Sequence, residues 1–281
     1  MELLRLEGLT KRYDGFTLDN VSFALEEGYI MGFIGRNGAG KTTTLKTMLG
    51  LVHPDGGTVQ MCGMDFQKNE RACRQQIGVV FGEFDHYPKK KLSAITDVYR
   101  RFYEQWDDAE YRRCLERFEL DESKTVEQLS SGMRVKYSLA LALSHGARLL
   151  ILDEPTSGLD PISRDELMEL FQSIIEDGTR SILFSTHITS DLEKCADYIT
   201  YLKDGRIVCS MEHGALLESW RMVKGGGKPD ADIAKLLVGC RTNKFGFDAL
   251  VRSDDAEAAA AAGLEVSPAN LEDIMLHLEK D

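Results

Sequence analysis

Gly35-Arg36-Asn37-Gly38-Ala39-Gly40-Lys41-Thr42 is a complete phosphate-binding loop, and what flanks it decides the fold. A short apolar run, Tyr29-Ile30-Met31-Gly32-Phe33-Ile34, leads in, and Thr42–Leu49 reads as a helix leading out. Strand, glycine-rich turn and helix are the setting in which this motif has a mechanism. Gly35, Gly38 and Gly40 let the backbone turn tightly, so the N–H groups of the loop, with Arg36, Asn37 and Ala39 between them, approach phosphate oxygens. Thr42 and Thr43 open a helix whose N-terminal partial positive charge favours anions. Lys41 reaches the β- and γ-phosphates, and the Thr42 hydroxyl is a Mg²⁺ ligand. The loop therefore predicts binding and hydrolysis of ATP.

Leu4–Leu9 and Phe16–Leu25 alternate apolar and polar residues, as half-buried strands do. Leu149–Leu152 and Ser181–Ser185 are instead continuous, largely apolar runs, which fit strands buried on both faces of a parallel sheet. With a helical pattern at 161–177 between them, they predict an α/β domain. Residues 84–128 are rich in charge and aromatics, as in Tyr99-Arg100-Arg101-Phe102-Tyr103-Glu104-Gln105-Trp106, and read as a helical insertion, part of a helical subdomain over about 84–145. The pattern changes after Gly205. Gly225-Gly226-Gly227, followed by Lys228-Pro229, reads as a flexible joint. Beyond it the sequence predicts a helix near 230–238, a strand near 245–251, an Ala-rich helix at 255–262 and a last helix at 270–280. The expected division is a main domain at 1–211 and a small accessory or dimerisation region at 212–281.

The chain has 281 residues, 43% hydrophobic, with a formal net charge of −12. No apolar run reaches the roughly 18 residues that span a bilayer. The start, Met1-Glu2-Leu3-Leu4-Arg5, lacks the features of a signal peptide, which predicts a cytoplasmic protein. Cysteines 62, 73, 114, 195, 209 and 240 form no CxxC pair or Cys/His cluster, which disfavours a zinc site or disulfide framework. An acidic surface repels nucleic-acid phosphates and anionic lipid headgroups, so no nucleic-acid partner is expected. Work at a membrane would need a protein partner to hold the chain there.

A phosphate loop needs a carboxylate site beside it. The apolar run Leu149–Leu152 delivers Asp153 and Glu154 at its C-terminal end, where ligands bind in open parallel sheets. Alone, this pair reads better as a solvated turn before Pro155. Beside the phosphate loop, Asp153 becomes a Mg²⁺-shell carboxylate and Glu154 the group that orients and polarises the attacking water. Upstream, Leu129-Ser130-Ser131-Gly132-Met133 leads into an apolar helix at roughly 134–145, with Ser130 as an N-cap. By itself that is only a helix cap.

The order of these segments, with Ser157-Gly158-Leu159-Asp160 and His187, resembles the nucleotide-binding domains of ABC transporters over about residues 2–211. It is most like single-domain bacterial exporter ATPases. The resemblance implies a P-loop ABC ATPase core with an antiparallel β subdomain, a helical insertion and a small C-terminal α/β tail. It implies ATP and Mg²⁺ as ligands. Two protomers, identical or mixed, would clamp two ATPs, the P-loop of one facing the signature segment Ser130, Ser131 and Gly132 of the other. Asp160 would lie in the loop coupling the two sites, His187 would contact the γ-phosphate, and Tyr13 would stack on adenine. A separate membrane permease would hold the chain on the inner face of the membrane, and the insertion at 84–128 would dock on it. The alternative is an ABC-type ATPase acting on nucleic acid or the ribosome without a permease.

Two positions depart from the family pattern. Ser131 and Met133 stand where the signature usually reads Gly and Gln. Gly82 stands where the family has a Mg²⁺-contacting glutamine, so either Glu83 or water takes that place in the metal shell.

Overall fold

Alternation builds the first sheet. β1 (Glu2–Tyr13) buries Leu4, Leu6 and Leu9, and β2 (Phe16–Glu26) buries Leu18, Val21, Phe23 and Leu25. The two pair antiparallel with Leu6 opposite Phe23, so both apolar sets share one face. Every residue of β3 (Ile30–Ile34) is buried, as the middle of a covered sheet requires. It feeds the phosphate loop and then α1 (Lys41–Met48). β4 (Gly56–Met61) and β5 (Met64–Asp65) complete a four-stranded sheet of order β2-β1-β4-β5. The structure, a computed structural model, describes residues 1–81, 87–227 and 229–280.

Next come α2 (Glu70–Gln76), β6 (Ile77–Phe81), α3 (Leu92–Phe102), α4 (Asp108–Arg117) and α5 (Ser131–Ser144). A buried chain of hydroxyls ties the last three together. Thr96 Oγ1 lies 2.7 Å from the Tyr111 hydroxyl and 2.9 Å from that of Tyr137, which donates to the Leu92 carbonyl at 2.9 Å. Protons run one way, from Tyr111 to Thr96 to Tyr137 to the carbonyl. α5 packs closely on β6 because Gly78 has no side chain: a Cβ there would sit 2.4 Å from Ala142 Cβ.

β7 (Leu149–Asp153), α6 (Pro161–Ile175), β8 (Ser181–Thr186), α7 (Thr189–Cys195), β9 (Tyr198–Lys203) and β10 (Arg206–Glu212) follow. The second sheet has the order β10-β9-β3-β8-β7-β6. β3 lies parallel between β8 and β9, and β7 lies parallel between β6 and β8. The strand ends that carry the phosphate loop, Asp153 and Thr186 therefore emerge along one edge.

The chain divides into two units, Met1–Ser210 and Met211–Asp281. The second holds α8 (His213–Glu218), β11 (Trp220–Gly225), β12 (Val238–Thr242), β13 (Phe247–Arg252), α9 (Ala256–Ala261), β14 (Glu265–Pro268) and α10 (Leu271–Leu278). Its antiparallel sheet, of order β12-β13-β11-β14, buries Val223, Ala249 and Val251 against Ala259.

Three sequence expectations are corrected. Instead of a helix near 230–238 there is one 3-10 turn, Ile233–Lys235, followed by β12. Ile233, Leu236 and Leu237 have helical spacing, but Leu236 and Leu237 pack against the sheet core. Gly239, at φ 62° and with its Cα against the His277 carbonyl, has left the helical region. Gly225 is no joint but the last residue of β11, opposite Phe247; Lys228 lies outside the described residues. Finally, the helix expected from 134 begins at Ser131, so Ser131, Gly132 and Met133 form its first turn.

Candidate active site

β3 ends at Ile34 and the chain turns through the phosphate loop into α1. Gly40, the residue before the helix, has φ 108°, and a Cβ there would meet Phe16 Cζ at 2.7 Å. Both conformation and space demand glycine. Lys41 is 5% exposed. Its Nζ donates to the Gly35 carbonyl at 2.8 Å and the Arg36 carbonyl at 3.4 Å, and lies 3.1 Å from Glu154 Oε1. The buried ammonium is thus matched by loop carbonyls and one carboxylate.

Across the sheet, β7 presents Asp153 and Glu154. The Thr42 hydroxyl donates to Asp153 Oδ2 at 2.8 Å, and the Ser185 hydroxyl donates to Asp153 Oδ1 at 2.5 Å. Glu154 has φ 50°, a strained conformation for a residue with a side chain. Its N–H donates to both the carbonyl (3.1 Å) and the hydroxyl (3.0 Å) of Ser185. Its Oε2 lies 2.8 Å from Nδ1 of the half-exposed His187, which follows β8. Glu154 therefore bridges a cation on its Oε1 side and an imidazole on its Oε2 side.

These groups surround a cleft of about 460 Å³. Its lining comprises Arg36, Asn37, Gly38, Gly40, Lys41, Thr42 and Thr43 of the loop, with Phe16, Glu154, Ser157 and His187. Gly35 and Ala39 lie buried beneath. Tyr13 is not part of the lining. It ends β1, is 46% exposed and carries Lys11 Nζ 5.7 Å from its ring centroid. The aromatic that does line the cleft is Phe16, opposite Tyr13 in the β1–β2 hairpin. Phe16 and Ser185 escaped the sequence reading. For Phe16, the glycine-flanked hairpin Tyr13–Phe16 offered a signal; Ser185 offered none.

The signature segment lies away from this cleft. Ser130 caps α5, its hydroxyl accepting from the Met133 N–H at 3.2 Å, and Ser130 and Ser131 are exposed. The Cα of Gly132 faces Leu159 and Ser163, where a Cβ would find ordinary contacts at 3.6 and 3.9 Å. Asp160 caps α6, accepting from the N–H groups of Ile162 (3.0 Å) and Ser163 (3.1 Å). The Ser163 hydroxyl at 2.6 Å is the main cause that holds the Asp160 carboxyl below its ordinary range. Between these segments, the Thr156 hydroxyl donates to Asp191 Oδ2 at 2.7 Å. Burial pushes the Asp191 carboxyl above its ordinary range. Gly82 and Glu83 lie outside the described residues.

The donor set suits Mg²⁺ delivered with a nucleotide. Among the described residues no group of three or more His, Cys, Asp or Glu gathers to hold a metal. The Thr42 hydroxyl and Asp153 carboxylate do converge, and Mg²⁺ takes one or two protein oxygens with phosphate and water supplying the rest.

The chain is similar to known proteins in sequence and fold. A family model described as ABC transporter matches residues 18–157. The chain is 30% identical over 233 residues to the ABC transporter ATP-binding protein YtrB of Bacillus subtilis (strain 168), covering 83% of this chain and 80% of that protein. It is 33% identical over 289 residues to the Nod factor export ATP-binding protein I of Burkholderia thailandensis, covering 95% and 94% respectively. Among solved structures, the ATP-binding subunit of an ABC transporter matches with a TM-score of 0.69 and 28% identity, over 76% of this chain and 91% of that one.

Proposed function

Since this chain belongs to the ABC transporter ATP-binding family, and is therefore an ATPase, we propose that it is the motor subunit of an exporter. In this reading two copies, or this chain and a similar one, close on two ATPs and move a separate membrane permease. The export assignment draws support from the full-length likeness to a Nod factor export protein. The observation that carries the two-protomer reading is the exposure of Ser130 and Ser131 away from their own cleft. The N-terminal turn of α5 is thus open to phosphate held by another chain.

The geometry of the cleft supports the following roles. The loop N–H groups between Gly35 and Thr43 cradle the phosphates, and Lys41 exchanges its carbonyl and carboxylate partners for β- and γ-phosphate oxygens. Thr42 and Asp153 would hold Mg²⁺, with Glu83 as the candidate further ligand. When bound, the ion supplies charge that stabilises the phosphate oxygens as the bond to the leaving group weakens. Glu154 accepts a proton from the water that attacks the γ-phosphorus, while the β–γ bridging bond breaks to leave ADP and phosphate. His187 holds the Glu154 carboxylate from the other side and contacts the γ-phosphate. Tyr13 remains the residue assigned to adenine, with Phe16 packed beside the loop. Ser130, Ser131 and Gly132 serve the opposite protomer's nucleotide, and Asp160 joins the two sites.

A groove of about 1030 Å³ between α2 and α3 is the place we assign to the permease. It is lined by Tyr99, Tyr103, Arg71, Arg74 and Arg101, with Val98 50% and Phe102 72% exposed. Exposed aromatics beside arginines suit a short helix from another protein. The permease would also place this chain on the inner face of the membrane, since no described helix is long and apolar enough to cross one. The unit after Ser210 takes an accessory or dimerisation role. Purification of the tagged chain from its own cells tests the reading. A polytopic membrane protein should co-purify; recovery with ribosomes or nucleic acid instead would overturn it.

A further inference from the structure

The Ser185 hydroxyl stands between the two carboxylates of the site. β7 and β8 run parallel in a register that sets Asp153 beside Ser185. In-register neighbours of a parallel pair point to the same face, so the side chains meet. The hydroxyl gives its one proton to Asp153 Oδ1 at 2.5 Å and accepts the Glu154 N–H at 3.0 Å. Ser185 is 0% exposed, so neither bond competes with water. Asp153 Oδ2 is left for the Thr42 hydroxyl, and the two bonds together fix the plane of the carboxylate. On the other side, the Ser185 hydroxyl and carbonyl both hold the Glu154 N–H, at a backbone φ of 50°.

We propose that Ser185 is a positioning residue that locks the metal-side carboxylate of Asp153 and the backbone of Glu154 into one unit. An alanine at this position keeps the carbonyl bond to Glu154 but frees the Asp153 carboxylate to rotate and removes the second acceptor for the strained N–H. The orientation of the Mg²⁺-side oxygen and the aim of the Glu154 side chain are then both loosened. This inference rests on the roles assigned above to Asp153 and Glu154.

The experiment compares wild type, Ser185→Ala and Ser185→Thr, the last keeping the hydroxyl. Loss of the bonds to a charged acceptor and a strained donor should lower kcat roughly tenfold in Ser185→Ala. KM for Mg²⁺–ATP should rise severalfold, because Asp153 is assigned to the metal, while the P-loop contacts to the phosphates are untouched. Binding supplies the second readout: affinity for Mn²⁺–ATP, followed by the Mn²⁺ spin resonance, should weaken severalfold while metal-free ATP binds as before. Ser185→Thr should recover most of both. An unchanged kcat and Mn²⁺–ATP affinity in the alanine variant would overturn the proposal. Equal loss of metal-free binding and thermal stability would also overturn it, by making Ser185 merely structural. Glu154→Gln serves as the separate control: full turnover there would remove the assigned base whatever Ser185 does.

Discussion

Lys41 Nζ lies 3.1 Å from Glu154 Oε1, so the cation of the phosphate loop and the proposed base of the reaction hold each other across the cleft. With His187 Nδ1 2.8 Å from the other Glu154 oxygen, two groups, one from the loop after β3 and one from the end of β8, meet on one carboxylate. In the proposed mechanism, binding of phosphate by Lys41 and release of Glu154 toward water are one event.

Replacing Lys41 tests the first half of that event. Lys41→Ala removes charge-assisted bonds to phosphate and leaves Glu154 without its cation. Affinity for ATP should fall roughly 30- to 100-fold. Isothermal titration calorimetry reads this directly, and an unchanged Kd would contradict the assignment of the loop.

Ser130 separates binding from closure. The Ser130→Ala variant loses the cap on α5, at a cost of about 1 kcal/mol in stability. Because Ser130 does not line its own chain's cleft, ATP binding to the monomer should stay within about twofold. ATP-dependent association should fall much further. Nucleotide binding and light scattering on the same samples distinguish the two, and equal losses in both would place Ser130 in its own chain's site.

His145, which ends α5, is 1% exposed and stacks on Tyr103 with centroids 3.7 Å apart. Burial pulls its pKa down from 6.5 to about 4. Between those values the unfolded chain binds a proton that the folded chain refuses, so stability rises with pH across this window. The contribution present above pH 6.5 and lost by pH 4 is about 3 kcal/mol at most. Urea unfolding at several pH values should show a shallower slope in His145→Gln than in wild type. Parallel slopes would show that His145 titrates alike in both states.

The sequence disclosed the parts of this site that are written in consecutive residues. The loop Gly35–Thr42, the strand-end pair Asp153-Glu154 and the cap Ser130 each occupy one strand end or helix start, and local chemistry fixes all three. Ser185 becomes a partner of Asp153 only through the register of two strands about 30 residues apart, and Phe16 reaches Gly40 only through a hairpin. No local pattern marks Ser185, and for Phe16 the one local sign is the glycine-bearing hairpin it closes. The second unit was harder still, because the apolar spacing of Ile233, Leu236 and Leu237 fits a helix as well as a turn under a sheet. Gly239, pressed against the backbone of α10, decides the matter through tertiary contact.

In the proposed function, Gly35–Thr42 forms half of a site completed by another protomer's signature segment. Sedimentation velocity of Glu154→Gln with and without ATP and Mg²⁺ tests it most directly, since that variant keeps the phosphate cradle and loses the base. A monomer that becomes a stable dimer with ATP, together with turnover reduced at least a hundredfold, is the expected result. A chain that stays monomeric at saturating ATP, or that hydrolyses it at the wild-type rate, would contradict the account.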